Sequence, residues 1–320
     1  MTTFKEIRGN LIKSTSTDPT NPQEGQIWYN STSQVLKGEE FLQAWSSGGN
    51  LNTARNVLGG AGTQTASVGF GGGNPTGTDQ AVTEEYDGSS WTTVNPMNTA
   101  RKITGVGLIQ TAALGFGSYT GPSTFNNSTE SYDGTTWTNK NNYNINQYIP
   151  SGFGTNTSAL KIGGHPGFAT NTESWDGTNW TSVTGLNTGG SYMMGAGVSN
   201  TDGIGCGGYN RTTATEQWNG SSWTNVASMN IARTSGAGSG TSGSALVAGN
   251  PGSVVSSELY DGSTWSTAPN IATARNVLGA ARASATSSVI FGGYAPSVGN
   301  RTTATEEFTS APATRTFTTS

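Results

Sequence analysis

The residues best equipped for chemistry in this chain are six glutamates, Glu84, Glu130, Glu173, Glu216, Glu258 and Glu306, and four arginines, Arg55, Arg101, Arg233 and Arg275. Paired carboxylates can cleave a glycosidic bond, and a group of guanidinium ions can clamp a carboxylate. Both sets, however, hold fixed places in a repeated motif. Each glutamate follows Thr or Ser and stands two positions before an aromatic ring. Each arginine ends an N-x-A-R or A-T-A-R segment. A reaction needs an asymmetric site, so recurrence assigns these residues to the repeat, as hydrogen-bond partners of backbone or of each other. The single histidine, His165, follows Gly163-Gly164 and reads as a polar loop residue. The single cysteine, Cys206, lies in the apolar run GIGCGG and reads as a buried, inert thiol. One histidine and one cysteine offer no metal-ligand set, and the Gly-x-Gly pieces lack the helix a phosphate loop needs. No catalytic residue, metal or cofactor is expected.

The repeat is explicit. TEEYDGSSWTTV at 83–94 returns as TESYDGTTWTNK, TESWDGTNWTSV, TEQWNGSSWTNV and SELYDGSTWSTA. Trp45, Trp91, Trp137, Trp180, Trp223 and Trp265 recur at nearly equal intervals along the chain. A period of roughly 44 residues points to a propeller or a solenoid. Four short strands fit each period. The first carries Gly-x-Gly, at 60–62, 105–107, 152–154, 195–197 and 236–238, with GAA at 279–281 in the last copy. The second is apolar and usually ends in glycine. The third is T-E-x-aromatic, and Asp-Gly or Asn-Gly turns it into the fourth, the tryptophan strand. No segment has sustained helical periodicity.

Composition bounds the rest. The 320 residues allow one large domain or two small ones. With 47 Gly and 11 Pro the chain stays below the level at which disorder is expected, and nine Trp with ten each of Tyr and Phe can build a core. A net charge of −4 without a basic run argues against a nucleic-acid partner. No stretch is long and apolar enough to insert in a membrane, and residues 1–20 lack the apolar core of a signal peptide.

Four antiparallel strands in six copies predict an all-β fold, a six-bladed β-propeller over residues 38–308. Gly-x-Gly lets the innermost strands approach closely around the axis. The wider outer spacing leaves room for a tryptophan wedge between neighbouring blades, each burying ~200 Å² and contributing roughly 5 kcal/mol before entropy is subtracted. The chain opens its repeats with a fourth strand alone, around Trp45, and ends them with strands one to three of the last copy, through TEEF at 305–308. The N-terminal strand is therefore expected to complete the last blade and close the ring. Residues 1–37 would form a separate segment with a hairpin, and 309–320 a C-terminal tail.

An apolar strand ending in Gly-Gly, then Glu-x-Tyr-Asp, then a Trp strand and an Arg, resembles the kelch repeat across residues 38–308. Kelch propellers serve as enzymes, adaptors and binding modules, so the resemblance speaks to fold more than to function. Galactose oxidase shares that architecture, but its copper site needs a second histidine that this chain lacks. The Asp-Gly turn is one residue shorter than the Ser-x-Asp-x-Gly-x-x-Trp turn of sialidases, as in Asp133-Gly134-Thr135-Thr136-Trp137. Separately, NPQEGQIWYNSTSQVLKG at 21–38 resembles the segment that introduces many bacteriophage virion and tail-fibre proteins. That resemblance implies a non-enzymatic virion structural protein, made in the host cytoplasm, with Ile27, Trp28 and Tyr29 at the joint. Residues 1–37 would contact other virion proteins while the propeller projects outward as an appendage or capsid decoration. A glycan-acting enzyme of sialidase or lyase type is the alternative on the same fold.

The copies differ mainly in the length of the connection between strands two and three. In a four-stranded meander these loops share one face with the connections from strand four to the next strand one, and that face is where individuality is expected. It carries Tyr119, Phe125, His165, Phe168, Tyr209 and Tyr294 among small polar residues. Exposed rings among amides and hydroxyls suit a flat polar ligand such as a host-surface polysaccharide. The alternative is that the rings pack back onto their own blades.

Overall fold

Each Asp-Gly or Asn-Gly turn is built by its own side chain. Asp87 Oδ1 accepts the amide hydrogens of Ser89 and Ser90 at 2.8 and 2.7 Å. Asp133, Asp176 and Asp261 repeat the arrangement, and Asn219 does so with its amide oxygen. The glycine that follows takes a positive φ, as in Gly88 at 92°, a conformation that costs glycine little. The turn returns the chain so that Tyr86 faces Trp91 across the hairpin, with ring centroids 4.9 Å apart. The same aromatic pair recurs as Tyr132–Trp137, Trp175–Trp180, Trp218–Trp223 and Tyr260–Trp265.

The computed structural model describes residues 12–22, 25–120, 124–209, 212–250, 252 and 254–317. These form strands and turns, with no helix among them. The packing divides the chain into two compact units. One comprises 12–44 and 309–317 of the described residues, and the other runs from Trp45 to Phe308.

Five meanders make up most of the larger unit. Blade 1 consists of Gly59–Thr63, Ala66–Phe70, Thr83–Tyr86 and Trp91–Val94. Blade 2 consists of Lys102–Ile109, Ala112–Thr120, Thr129–Tyr132 and Trp137–Lys140, with Thr124–Phe125 added beside its second strand. Blade 3 spans Ser151–Gly154 to Trp180–Val183, blade 4 Met194–Ser199 to Trp223–Val226, and blade 5 Ala237–Gly240 to Trp265–Ala268. The expectation of six regular blades does not hold: among the described residues the regular blades number five. The strands of the last repeat lie instead in a six-stranded sheet, ordered Lys13–Thr15, Ile27–Asn30, Val35–Ser47, Thr305–Phe317, Ser287–Phe291, Gly279–Ala280. The reason is length. Val35–Ser47 and Thr305–Phe317 each run for 13 residues where the outer strands of the blades have four, so the sheet does not stop where a blade would. Val35–Ser47 passes through the boundary expected at residue 38, and 309–317 is strand rather than tail. The glycines of the fifth copy also shift from the expected 236–238. Gly238 and Gly240 face Val247 and Ala245, as Gly60 and Gly62 face Gly69 and Ser67.

Three sets of contacts bind the larger unit. The first is the tryptophan of each fourth strand, which reaches into the preceding sheet. Trp137 Nε1 donates to Thr83, Trp180 to Thr129, Trp91 to Thr305 and Trp45 to Ser257, at 3.0, 3.0, 3.0 and 3.3 Å. The first three indoles are buried. Trp45 packs on Phe308 at 5.1 Å, so the contacts continue through the ends of the repeat.

The second set is the glutamates. Glu84 accepts the amides of Asn52 and Thr53 at 2.6 and 3.3 Å and the guanidinium of Arg55 at 2.8 Å, with both charged side chains fully buried. Glu130 pairs with Arg101, Glu258 with Arg233 and Glu306 with Arg275, each also holding backbone amides of the incoming connection. The third set is a chain of backbone hydrogen bonds around the axis. Val57 N donates to Val277 O, Val277 N to Ser235 O and Ser235 N to Tyr192 O, at 2.7, 2.6 and 2.9 Å. These donors and Tyr192 sit at φ between 47° and 59°, a strained region for β-branched and bulky residues.

In the smaller unit, Trp28 is fully buried. Its indole and the amide of Asn30 both donate to Asp18 Oδ1, at 3.0 and 2.7 Å, and Lys37 meets Oδ2 at 2.6 Å. Lys13–Thr15 lies parallel to Ile27–Asn30, which pairs antiparallel with Val35–Ser47.

The buried ion pairs and the turns can each be tested. Arg55→Met should cost about 3–5 kcal/mol in urea unfolding, because it leaves the buried Glu84 carboxylate unpaired. Adding Glu84→Gln should restore part of that loss. The turn aspartates titrate below their usual range. Backbone amides are the largest cause, and Asp87 is held to about 2. Their contribution is therefore complete above about pH 4 and is lost as pH falls toward about 2. Changing Asp87, Asp133, Asp176 and Asp261 to Asn, the residue already present at 219, should flatten the acid limb of a stability–pH curve.

Candidate binding site

Two copies break the arginine rule. Gly208 N donates to Arg233 O and Gly293 N to Arg55 O, at 3.0 and 2.8 Å, and the equivalent bond in blade 3 runs from Gly164 N to Gly190 O at 2.9 Å. Gly190 therefore stands where the repeat places arginine. The bridge between Tyr148 and His165 matches that between Asn276 and Tyr294, so Gln147 aligns with Arg275. In blade 3 the missing guanidinium is replaced by Lys161, fully buried, 3.5 Å from Glu173 and donating to Gln147 Oε1 at 2.8 Å. Burial pushes the Lys161 ammonium below its usual range, against the pull of Glu173. In blade 4 Glu216 is also buried, but it accepts only the amides of Asn187 and Thr188, at 2.7 and 2.9 Å, with no cation beside it among the described residues. A Cβ on Gly190 would lie 2.8 Å from Met193 Sδ, so the thioether occupies the space an arginine would enter.

A cleft opens at these two copies. It holds about 240 Å³ and is lined by Tyr148, His165, Gly167, Phe168, Ser191, Tyr192 and Tyr209. All seven come from connections between strands two and three or from strand four to the next strand one, which share one face of the blades. The rings form a strip. Tyr148 lies 5.3 Å from Tyr119, 5.0 Å from Phe125 and 4.6 Å from His165. Phe168 stacks on Tyr209 at 5.8 Å and 21°, and Tyr209 adjoins Tyr192 at 6.2 Å. Lys102 Nζ sits 4.5 Å over the Tyr119 ring and 2.7 Å from Asp79. Burial pushes the Tyr192 phenol up to about 12 and raises Tyr119. Both hydroxyls stay protonated at neutral pH and can donate as well as accept. The site can thus offer flat apolar faces edged by hydroxyls, a ring nitrogen and backbone amides.

Five of the six rings expected on this face, Tyr119, Phe125, His165, Phe168 and Tyr209, belong to this strip. Tyr294 does not line the cleft. It pairs with Arg301 in the short hairpin of the last repeat, between Tyr294–Ala295 and Asn300–Arg301. Phe168 and Tyr209 are 50% and 55% exposed, so they do not pack back onto their blades. Tyr148, Ser191 and Tyr192 were not expected. The signal for them was NQ at 146–147 and GG at 189–190 where other copies write A-R, a departure from the repeat that the repeat itself hides. Of the three residues expected at the joint, Trp28 is buried within its own unit, while Tyr29 is 38% exposed and Ile27 intermediate. Cys206 is buried, and burial pushes its thiol up to about 12, as an inert thiol requires. No group of three or more His, Cys, Asp or Glu side chains that could hold a metal occurs among the described residues.

No protein-family model matches the chain, and no curated protein matches it. Among solved structures, one titled "Structure of YjhT" is similar, with a TM-score of 0.65 over 82% of this chain and 97% of that one, at 13% identity. The likeness establishes an all-β propeller fold.

If the exposed rings serve a ligand rather than the fold, Phe168→Ala and Tyr209→Ala should each change unfolding free energy by less than about 1 kcal/mol. Trp223→Ala, which empties a buried position, should cost roughly 3–5 kcal/mol. Chemical denaturation of the three variants makes the comparison.

Proposed function

We propose that this chain is a non-enzymatic structural protein of a bacteriophage virion, a tail-fibre appendage or capsid decoration, whose propeller binds polysaccharide on the host surface. The aromatic cleft carries the reading. It lies where two copies abandon the repeat's own ion pair, and it assembles rings without adding acidic groups. No Asp or Glu is among the seven residues lining it, so the carboxylate pair of glycoside hydrolysis has no members there. Stacked and tilted rings half open to solvent suit sugar faces.

In this reading the smaller unit attaches to other virion proteins. The segment 21–38, similar to phage virion introductory segments, lies in that unit, and residues 1–11 and 23–24 of the expected attachment region fall outside the described residues. Tyr29, Leu42 and Ile12 present exposed apolar surface there. The propeller is of kelch type.

Removing residues 1–37 should abolish incorporation into particles while the isolated protein keeps its β-rich circular dichroism. Normal incorporation would overturn the attachment role. On immobilised host-surface polysaccharide, Tyr209→Ala with Phe168→Ala should weaken retention about tenfold or more. Retention equal to the parent would overturn the binding role.

A further inference from the structure

The repeat places glycine at Gly62, Gly107, Gly154, Gly197 and Gly240, and in the last copy the same place is Arg282. Its backbone lacks the positive φ of Gly62, Gly107, Gly154 and Gly240, yet it bonds to the copies on either side. Arg282 N donates to Gly62 O at 3.1 Å, and Arg282 O accepts from Gly240 N at 3.0 Å. Its side chain enters the centre of the propeller. Nη1 lies 3.4, 3.3 and 3.5 Å from the carbonyl oxygens of Gly152, Gly195 and Gly238, three long contacts to blades 3, 4 and 5. Nε is buried without a hydrogen-bond partner. No carboxylate pairs with Arg282 among the described residues, whereas Arg55, Arg101, Arg233 and Arg275 each have one. Burial lowers it to about 10, with no opposing charge, and it remains a cation at neutral pH.

The guanidinium lines a cavity of about 70 Å³ at the axis, together with Thr104, Ser151, Tyr192 and Ser235. That is the volume of about two waters, enough for a carboxylate group. Tyr192 is also a wall of the aromatic cleft, so the two spaces adjoin at one residue.

We propose that Arg282 is the anion-recognition residue of the site, and that the preferred ligand is an acidic glycan whose carboxylate enters the axial cavity while a neighbouring sugar ring lies on the Tyr148–Phe168–Tyr209 strip. This rests on the glycan-binding reading of the cleft and adds the charge of the ligand to it. A partly buried cation with one buried, unused donor favours an anion. The carboxylate supplies the acceptors that three carbonyls at long range do not.

The test compares a hexuronate-containing oligosaccharide with its methyl ester, which keeps the shape and removes the charge, and with a sulfated neutral oligosaccharide. The intact chain should bind the acid about tenfold or more tightly than the ester, with the sulfated sugar no better than the ester. Arg282→Gly restores the residue found in the other five copies and should fold normally. It should bind acid and ester alike, at the parent's affinity for the ester, and Arg282→Lys should regain part of the preference. Equal binding of acid and ester by the parent would overturn the role of Arg282 and leave the glycan site standing. A preference for the sulfated sugar would overturn the carboxylate assignment. Binding of none of the three would overturn both readings. A direct check is the Arg282 Nε–H resonance, which should shift saturably on titration with free hexuronate. An unmoved resonance would also overturn the proposal.

Discussion

A buried carboxylate organises this molecule. In each repeat the third-strand glutamate sits at or near zero exposure and accepts amide hydrogens from the connection that brings the chain in from the previous sheet. In four repeats it is neutralised by the arginine of that same connection. Desolvating a carboxylate is expensive, and attraction to one cation rarely offsets it alone. Here the amides add the missing hydrogen bonds. The glutamate therefore fixes where each strand-four-to-strand-one connection runs. With the connection fixed, the indole of the fourth strand is delivered into the preceding sheet, where those of Trp45, Trp91, Trp137, Trp180 and Trp265 find a hydroxyl or carbonyl acceptor.

Because that constraint is met in nearly the same way in every repeat, relaxing it has a visible local effect. Lys161 reaches Glu173 from the second strand, so Gln147 no longer needs to be cationic. Glu216 keeps its two amides and dispenses with a cation altogether among the described residues, while Met193 fills the vacated space. The connections of blades 3 and 4 are then free to carry Tyr148, Ser191 and Tyr192 beside the loops that hold His165, Phe168 and Tyr209. The aromatic cleft is a direct product of two substitutions in the ion-pair position.

The period of the tryptophans, the Asp-Gly turns and the Gly-x-Gly strands made the propeller readable, because each encodes a local geometry that leaves a residue-type signature. What resisted reading was whatever depends on length rather than type. Nothing in the composition of VLKGEEFLQAWSS announces that it forms one unbroken strand, so one blade of the expected six merges into a larger sheet. The face carrying the site was legible from the variable loops, and five of its six named rings meet there. Tyr294 lies apart because a repeat position marks height on the propeller and not which blade bears the cleft. Tyr148 and Tyr192 leave no such signature, because they stand in the connection that the recurring arginines mark in the other copies.

In a repeat protein, a residue present in every copy can be explained by the fold, since each copy must solve the same packing problem. A residue that departs from its column has lost that explanation and is either neutral drift or a site. Drift should scatter its departures, and solvent-exposed positions should collect them. Gln147, Gly190 and Arg282 are not scattered. They replace columns that are otherwise Arg, Arg and Gly. Arg282 lines the axial cavity, and the chain neighbours of the other two, Tyr148 and Ser191, line the cleft beside it. Arg282 also introduces a partly desolvated charge that the other five copies avoid, a cost that drift has no reason to retain. The concentration of chemically distinct departures around Tyr192 is what supports the proposed binding role of this face.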